Sequence, residues 1–88
     1  MSLLGVHQSD ALNRIFVGLK SRDESSRQAA GEELKSHVAF VVSELKGDSL
    51  STFNNDLHRR IFELTHSQHV HEKLGGIVAI LGIVWVMQ

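Results

Sequence analysis

Three histidines in the second half of the chain are the residues best suited to chemistry by type and spacing. His66, His69 and His71 form an H-x-x-H-x-H sequence, and imidazole nitrogens are good zinc ligands. A zinc site needs four ligands in a fixed geometry. The sequence has no cysteine, and the nearby carboxylates are limited to Glu63 and Glu72. The spacing therefore favours a solvated junction between helices, and we predict neither a metal nor another cofactor.

Motifs for catalysis or phosphate binding are absent from the sequence, which has no G-x-S-x-G, no H-E-x-x-H and no glycine-rich phosphate loop. Gly75-Gly76 lies inside an apolar helical pattern and not after a strand, which indicates helix packing. Arg59-Arg60 is an isolated basic pair, and the net charge is −1, so no basic surface for nucleic acid is expected. The sequence predicts no catalytic residues, and hence no enzyme activity of this chain.

Length and apolar content limit what the chain can form. Its 88 residues make one small domain or part of a larger one, and 42% of them are apolar. The longest apolar run, 77–87, is interrupted only by Gly82 and is 11 residues long, whereas a membrane span needs about 20. We expect no transmembrane helix. Residues 1–9 lack the features of a signal peptide and are predicted to be a disordered leader.

Apolar spacing of three and four residues predicts four helices and an all-α fold. The first is expected over 10–20, and Ser21 with Glu24 forms a capping-box pattern at the start of the second. Lys46-Gly47 is a stop signal, Asp48 or Ser49 can cap the third helix, and the fourth runs from about Gln68 to the end. The predicted buried stripes are Leu12, Ile15, Phe16, Leu19; Ala30, Leu34, Val38, Val41, Leu45; Leu50, Phe53, Leu57, Ile61, Leu64; and Val70, Leu74, Ile77, Leu81, Val84.

The two halves of the sequence are related by an offset of 46 residues without a gap. The segment 13–21, NRIFVGLKS, matches 59–67, RRIFELTHS. Two helices in a period of 40–47 residues are typical of HEAT and armadillo repeats. We therefore predict two antiparallel hairpins stacked as HEAT-type repeats, one over 10–46 and one over 48–88. We expect two kinds of residue to pack between repeats. One is a basic residue at equivalent positions, Arg27 and Lys73, and the other is a small residue at equivalent positions, Ala30 and Gly76.

Three segments resemble the extreme N-terminus of the target of rapamycin (TOR) kinases. They are GLKSRDESSRQAAGEEL (18–34), DLHRRIFELTHS (56–67) and HEKLGGIVAI (71–80). The resemblance covers roughly residues 16–81. It implies that the parent is a large nutrient-responsive serine/threonine kinase, cytoplasmic and also found at endomembrane surfaces. Its kinase domain would lie far C-terminal, and its N-terminal HEAT solenoid would be a scaffold for TOR-complex subunits. No catalytic or rapamycin-binding residue of the family maps onto this chain.

The apolar end departs from the family pattern, because the family continues into a polar, acidic linker after Ile80. A terminal repeat carries a polar cap, so we expect a longer solenoid that is cut or mis-terminated after its second unit. Ile77, Leu81, Val84 and Trp85 are the predicted interface, to following repeats or to a second copy of the isolated chain. The alternative is a stand-alone helical adaptor that self-associates through its C-terminal helix.

Overall fold

A computed structural model describes the backbone of residues 3–87 and the side chains of residues 10–86. It contains four helices, α1 (Leu3–Leu19), α2 (Glu24–Glu44), α3 (Gly47–Thr65) and α4 (Val70–Met87), and the described residues include no strand. Helices α1 and α2 form unit 1, and α3 and α4 form unit 2. The two units lie side by side, and the most extensive contact between them is that of α2 with α4. The predicted all-α fold is confirmed.

The starts of α1 and α2 differ from the predicted ones. Helix α1 begins at Leu3, so the backbone of residues 3–9, in the segment predicted as a disordered leader, is helical. Helix α2 is capped by Asp23, whose carboxylate accepts from the Ser26 N–H at 2.9 Å. The predicted capping box is wrong, because Ser21 accepts instead from the Asp23 N–H within the turn.

The turns within the two units share one hydrogen bond at an offset of 46 residues. In unit 1 the Asp23 N–H donates to Ser21 Oγ at 3.1 Å. In unit 2 the His69 N–H donates to Ser67 Oγ, also at 3.1 Å. The helices on either side of the turns also end and begin at positions 46 residues apart. The turn between the units is different: there Gly47 has a φ of 61°, a conformation that favours glycine.

The core consists mainly of the predicted stripes of the first three helices, of which Leu45 and Leu50 are only partly buried. Within residues 10–86, each of these helices buries four apolar side chains, whereas α4 buries only Ala79 among its apolar side chains. The predicted stripe of α4 is wrong, because Val70, Leu74, Ile77, Leu81 and Val84 are all exposed. From Ile77 onward α4 is apolar on nearly all sides, so periodicity could not identify the buried face.

Small residues form the buried side of α4 because backbones lie close to it. A Cβ on Gly75 would overlap the Leu19 carbonyl oxygen of α1. A Cβ on Gly76 would lie 2.7 Å from Thr65 Cγ2 of α3. Glycine at these two positions lets α4 contact both helices at once.

Alanine substitutions in α4 test this packing. We expect Gly75→Ala to destabilise the chain by about 1–3 kcal/mol, because the new methyl overlaps a backbone oxygen that cannot rotate away. Gly82→Ala is the matched control. Its Cβ would lie 3.5 Å from the nearest atom, the Gly31 oxygen, so better helix propensity should stabilise the chain by up to about 1 kcal/mol. Urea denaturation followed by circular dichroism measures both, and equal effects would contradict the predicted contact.

His37 is the one side chain among the described residues with a buried polar atom that lacks a hydrogen-bond partner, its Nε2. The ring packs edge-on against Phe53 of α3, with centroids 6.0 Å apart. Burial, together with the nearby Arg14, lowers the pKa of His37 below its ordinary value of 6.5. The fold therefore favours the neutral imidazole.

The lowered pKa of His37 makes stability depend on pH. The unfolded chain binds the proton more readily, so the stabilisation is present above pH 6.5 and is lost as the pH falls through the folded pKa. We expect the melting temperature to fall between about pH 7.5 and 5.5, where carboxylates do not yet titrate. His37→Phe should flatten this dependence, whereas the exposed control His58→Gln should leave it unchanged. A profile that is the same in wild type and His37→Phe would exclude His37 as its cause.

Candidate partner-binding face

Exposed apolar side chains gather on the side of unit 2 that faces away from unit 1. Leu81 is 65% exposed, Phe62 59% and Ile77 51%. On α4 they follow helical spacing, so they form one stripe beside the exposed ring of Phe62. We call this surface the open face and define it by Phe62, Leu74, Ile77, Ile80, Leu81 and Val84.

A groove of about 360 Å³ runs between α3 and α4 on the open face. Phe62 forms one wall, and Ile80 and Val84 form the other. His58 and Thr65 provide polar groups in its lining. A groove with this lining suits apolar side chains of a protein partner better than a charged small molecule.

The equivalent surface of unit 1 is buried. Phe62, Ile80 and Val84 stand 46 residues after Phe16, Leu34 and Val38. Those three side chains of unit 1 are 4%, 0% and 2% exposed. Arg60 of unit 2 lies over the Phe16 ring, and Val78 of unit 2 lies against Gly31 of α2. The same positions are thus covered in one unit and uncovered in the next.

The four residues predicted as an interface are all exposed, but they do not share one surface. Ile77 and Val84 lie on the open face. Trp85 instead faces back toward unit 1, because Lys35 Nζ of α2 lies 5.3 Å from its ring centroid. Leu81 lines the same groove between α2 and α4 as Trp85 does, so it borders both surfaces.

The residues predicted to pack between repeats make their described contacts within one hairpin. Arg27 is 8% exposed, and its Nη1 donates to the carbonyl oxygens of Ser21 and Arg22 at 3.0 Å. Ala30 packs on Gly18, and Gly76 packs on α3. Of the two glycines Gly75 and Gly76, it is Gly75 that lies against the backbone of unit 1, at the Leu19 carbonyl oxygen.

Lys73 differs from Arg27, although the offset pairs them. Lys73 is exposed. In the second turn, Ser67 Oγ donates to the Glu72 carboxylate at 2.8 Å, and this hydrogen bond lowers the pKa of Glu72. In unit 2 the turn is therefore stabilised by the hydrogen bond between Ser67 and Glu72 and not by the basic residue.

The histidines of the second junction make two separate ring contacts. The His66 ring stacks on Phe62, with centroids 3.9 Å apart, whereas the His69 and His71 rings are 5.6 Å from each other. Within residues 10–86, no three His, Cys, Asp or Glu side chains form a group that could hold a metal ion.

An ion-pair cluster on α3 holds an arginine in place at the boundary between the units. Asp56 accepts from Arg59 Nη2 at 2.6 Å and from Arg60 Nε at 2.9 Å. Partial burial of Asp56 raises its pKa, but these hydrogen bonds outweigh burial and hold the pKa below its ordinary value. Arg60 is thereby fixed with its Cζ 5.8 Å from the Phe16 ring centroid.

Sequence reasoning missed Phe62 as a member of the exposed surface, and it did not single out Ile80 within the apolar run 77–87. The signal was available in the offset, because Phe62 matches Phe16 and Ile80 matches Leu34. Unit 2 covers certain residues of unit 1. The counterparts of those residues in unit 2 are not covered by either unit. The offset identifies these exposed residues only when it is known which residues of unit 1 are buried.

The repeated turn and the stacked hairpins define an all-α protein built from a repeated helical hairpin. The chain is 52% identical over 65 residues to serine/threonine-protein kinase tor1 of Schizosaccharomyces pombe. It is 36% identical over 69 residues to TOR2 of Saccharomyces cerevisiae and 35% over 71 residues to TOR of Arabidopsis thaliana. The chain is therefore homologous to a short segment of the TOR serine/threonine kinases, and the resemblance to this family is confirmed.

These matches cover 74–81% of the chain, which spans about 3% of the length of each relative. No protein-family model matches the chain, and neither does a solved structure. In the part of the chain that the structure describes, none of the helices is long and apolar enough to cross a membrane.

Replacing the two matched basic residues tests their different roles. We expect Arg27→Gln to cost about 2 kcal/mol of unfolding free energy, because it removes charged hydrogen bonds to two carbonyl groups. Lys73→Gln should change the free energy by less than about 0.5 kcal/mol, since Lys73 is exposed. Urea denaturation compares them, and a similar cost for both variants would contradict the assignment.

Proposed function

We propose that the chain is a scaffold and protein-interaction segment, formed by two HEAT-type repeats of an α-solenoid. Its open face binds a further helical hairpin of the same kind. The observation that carries this proposal is the exposure of Phe62, Ile80 and Val84, whose counterparts in unit 1 are buried. Unit 2 covers an apolar surface of unit 1. The equivalent surface of unit 2 is also apolar, and it is exposed.

Homology to a short segment of the TOR kinases supports a parent of that type. In this proposal the chain takes no part in catalysis, and ATP and substrate are bound by a kinase domain elsewhere in the parent. The first partners are the following HEAT repeats, and the assembled solenoid binds the other subunits of a TOR complex in the cytoplasm. The short matched segment, common to three large kinases, is consistent with such a scaffold.

A stand-alone adaptor that forms dimers through α4 is the second candidate. It is favoured by the exposure of Trp85, at 67%, and Leu81, at 65%. These two side chains lie beside the groove between α2 and α4. In a dimer of this kind, α4 of each copy would cover the same residues of the other, as twofold symmetry requires.

An extended chain distinguishes the candidates. A copy of residues 47–88 is joined after Gln88 through a spacer that keeps the offset of 46 residues. In the copy, Val78 is replaced by alanine, because Ile77 stands where Gly31 of unit 1 lies against Val78. Because the sequence contains no cysteine, Val84→Cys introduces a single thiol on the open face. We expect thiol labelling at position 84 to be at least tenfold slower in the extended chain than in the 88-residue chain, because the added hairpin covers the groove.

Ser36→Cys is the matched control for this experiment. Gly82, the counterpart of Ser36 in unit 2, lies against unit 1, so Ser36 is on the side that faces away from unit 2. Labelling at position 36 should be the same in both chains. Equal labelling at position 84 would overturn the proposal. A discrete dimer of the 88-residue chain in light scattering would favour the adaptor.

A further inference from the structure

The contact between Arg60 and Phe16 joins the two units and has a defined geometry. Arg60 Cζ lies 5.8 Å from the centroid of the Phe16 ring, within the range of a cation–π interaction. The Arg60 side chain is 17% exposed and is held by Asp56, four residues earlier on α3. Phe16 is 4% exposed. A fixed guanidinium of the second unit thus covers an aromatic ring of the first.

Phe62 repeats the aromatic half of this contact at the offset of 46 residues. Its ring is 59% exposed and stacks on one side with the His66 imidazole. The ring borders the groove that Ile80 and Val84 line. Phe62 therefore presents to an incoming hairpin what Phe16 presents to unit 2.

The cationic half of the contact also recurs at this offset. Arg14 of α1 stands 46 residues before Arg60. Arg14 is 70% exposed in its side chain, and its Nη2 pairs with Glu33 at 2.8 Å. An arginine two residues before the phenylalanine is thus present on the first helix of both units.

We propose that the hairpin bound to the open face carries an arginine on its first helix that stacks on Phe62. This inference rests on the proposed function and specifies its partner chemically: an antiparallel helical hairpin with a carboxylate four residues before the arginine. The guanidinium lies over the ring of Phe62, and its methylene groups lie along the apolar wall formed by Ile80 and Val84. The carboxylate holds the guanidinium as Asp56 holds Arg60.

The extended chain described above tests the inference, because its added hairpin carries a copied Asp56 and a copied Arg60. A double-mutant cycle combines Phe62→Leu with replacement of the copied arginine by methionine, and urea denaturation gives the unfolding equilibrium constants. We expect a coupling between the two sites of roughly two- to thirtyfold in that constant. The same cycle between Phe16→Leu and Arg60→Met in the 88-residue chain is the positive control.

A second variant keeps the test independent of side-chain volume. Replacing Phe62 by fluorinated phenylalanines weakens the negative potential of the ring face with little change in shape. Stability of the extended chain should fall stepwise with each added fluorine, and this trend should disappear when the copied arginine is methionine.

The two proposals fail in different ways. Protection of position 84 without coupling and without a fluorine trend overturns the arginine contact and leaves the proposed function intact. Absence of protection overturns both. Coupling of Phe62 to the unit's own Arg60, measured in the 88-residue chain, would also overturn the inference, because that arginine would then account for the effect.

Discussion

The arrangement of the two units depends on the contact between the backbone of α4 at Gly75 and the Leu19 carbonyl oxygen at the end of α1. This contact leaves no space for a side chain, so it fixes how closely unit 2 approaches unit 1. A second close approach, between Gly31 of α2 and Val78 of α4, restricts the rotation of the two units. Both contacts are made at a glycine. The stacking of the units therefore depends more on the missing side chains at these positions than on shape complementarity between side chains.

Exposure of the large apolar residues of α4 follows from this constraint. With Gly75, Gly76 and Ala79 on the buried side, the long side chains must lie on the remaining circumference. Burying a large aliphatic or aromatic side chain fully contributes about 1.5–3 kcal/mol. Phe62, Ile80 and Val84 are roughly half exposed, so covering the rest of each would contribute on the order of 1 kcal/mol. The open face thus offers a partner enough apolar surface to offset part of the entropy lost on binding.

Much of the fold could be predicted because the first three helices have one apolar stripe each. The helices, their stripes and the offset of 46 residues all follow from periodicity. The sequence segments shared with TOR kinases identified the family. The face of α4 could not be predicted, since a helix that is apolar on most sides has no preferred stripe. The cap of α2 was also ambiguous, because Ser21 and Asp23 are both good capping residues and differ only in the path of the turn. The exposed members Phe62 and Ile80 required knowledge of which unit 1 residues unit 2 covers.

The two units are not interchangeable, and one difference that affects stacking lies at Ile77. Its counterpart in unit 1 is Gly31, which lets Val78 of the neighbouring helix come into contact with the α2 backbone. An isoleucine at that position adds four carbon atoms between α4 and any helix that packs on it. Because the distance between packed helix axes depends on the side chains at the contact, a hairpin on the open face must lie further from α4 near Ile77 than α4 lies from α2. In the proposed solenoid, the spacing of successive units would then change from one junction to the next. A partner that fits this face must leave room for the Ile77 side chain, which restricts the hairpins that can bind.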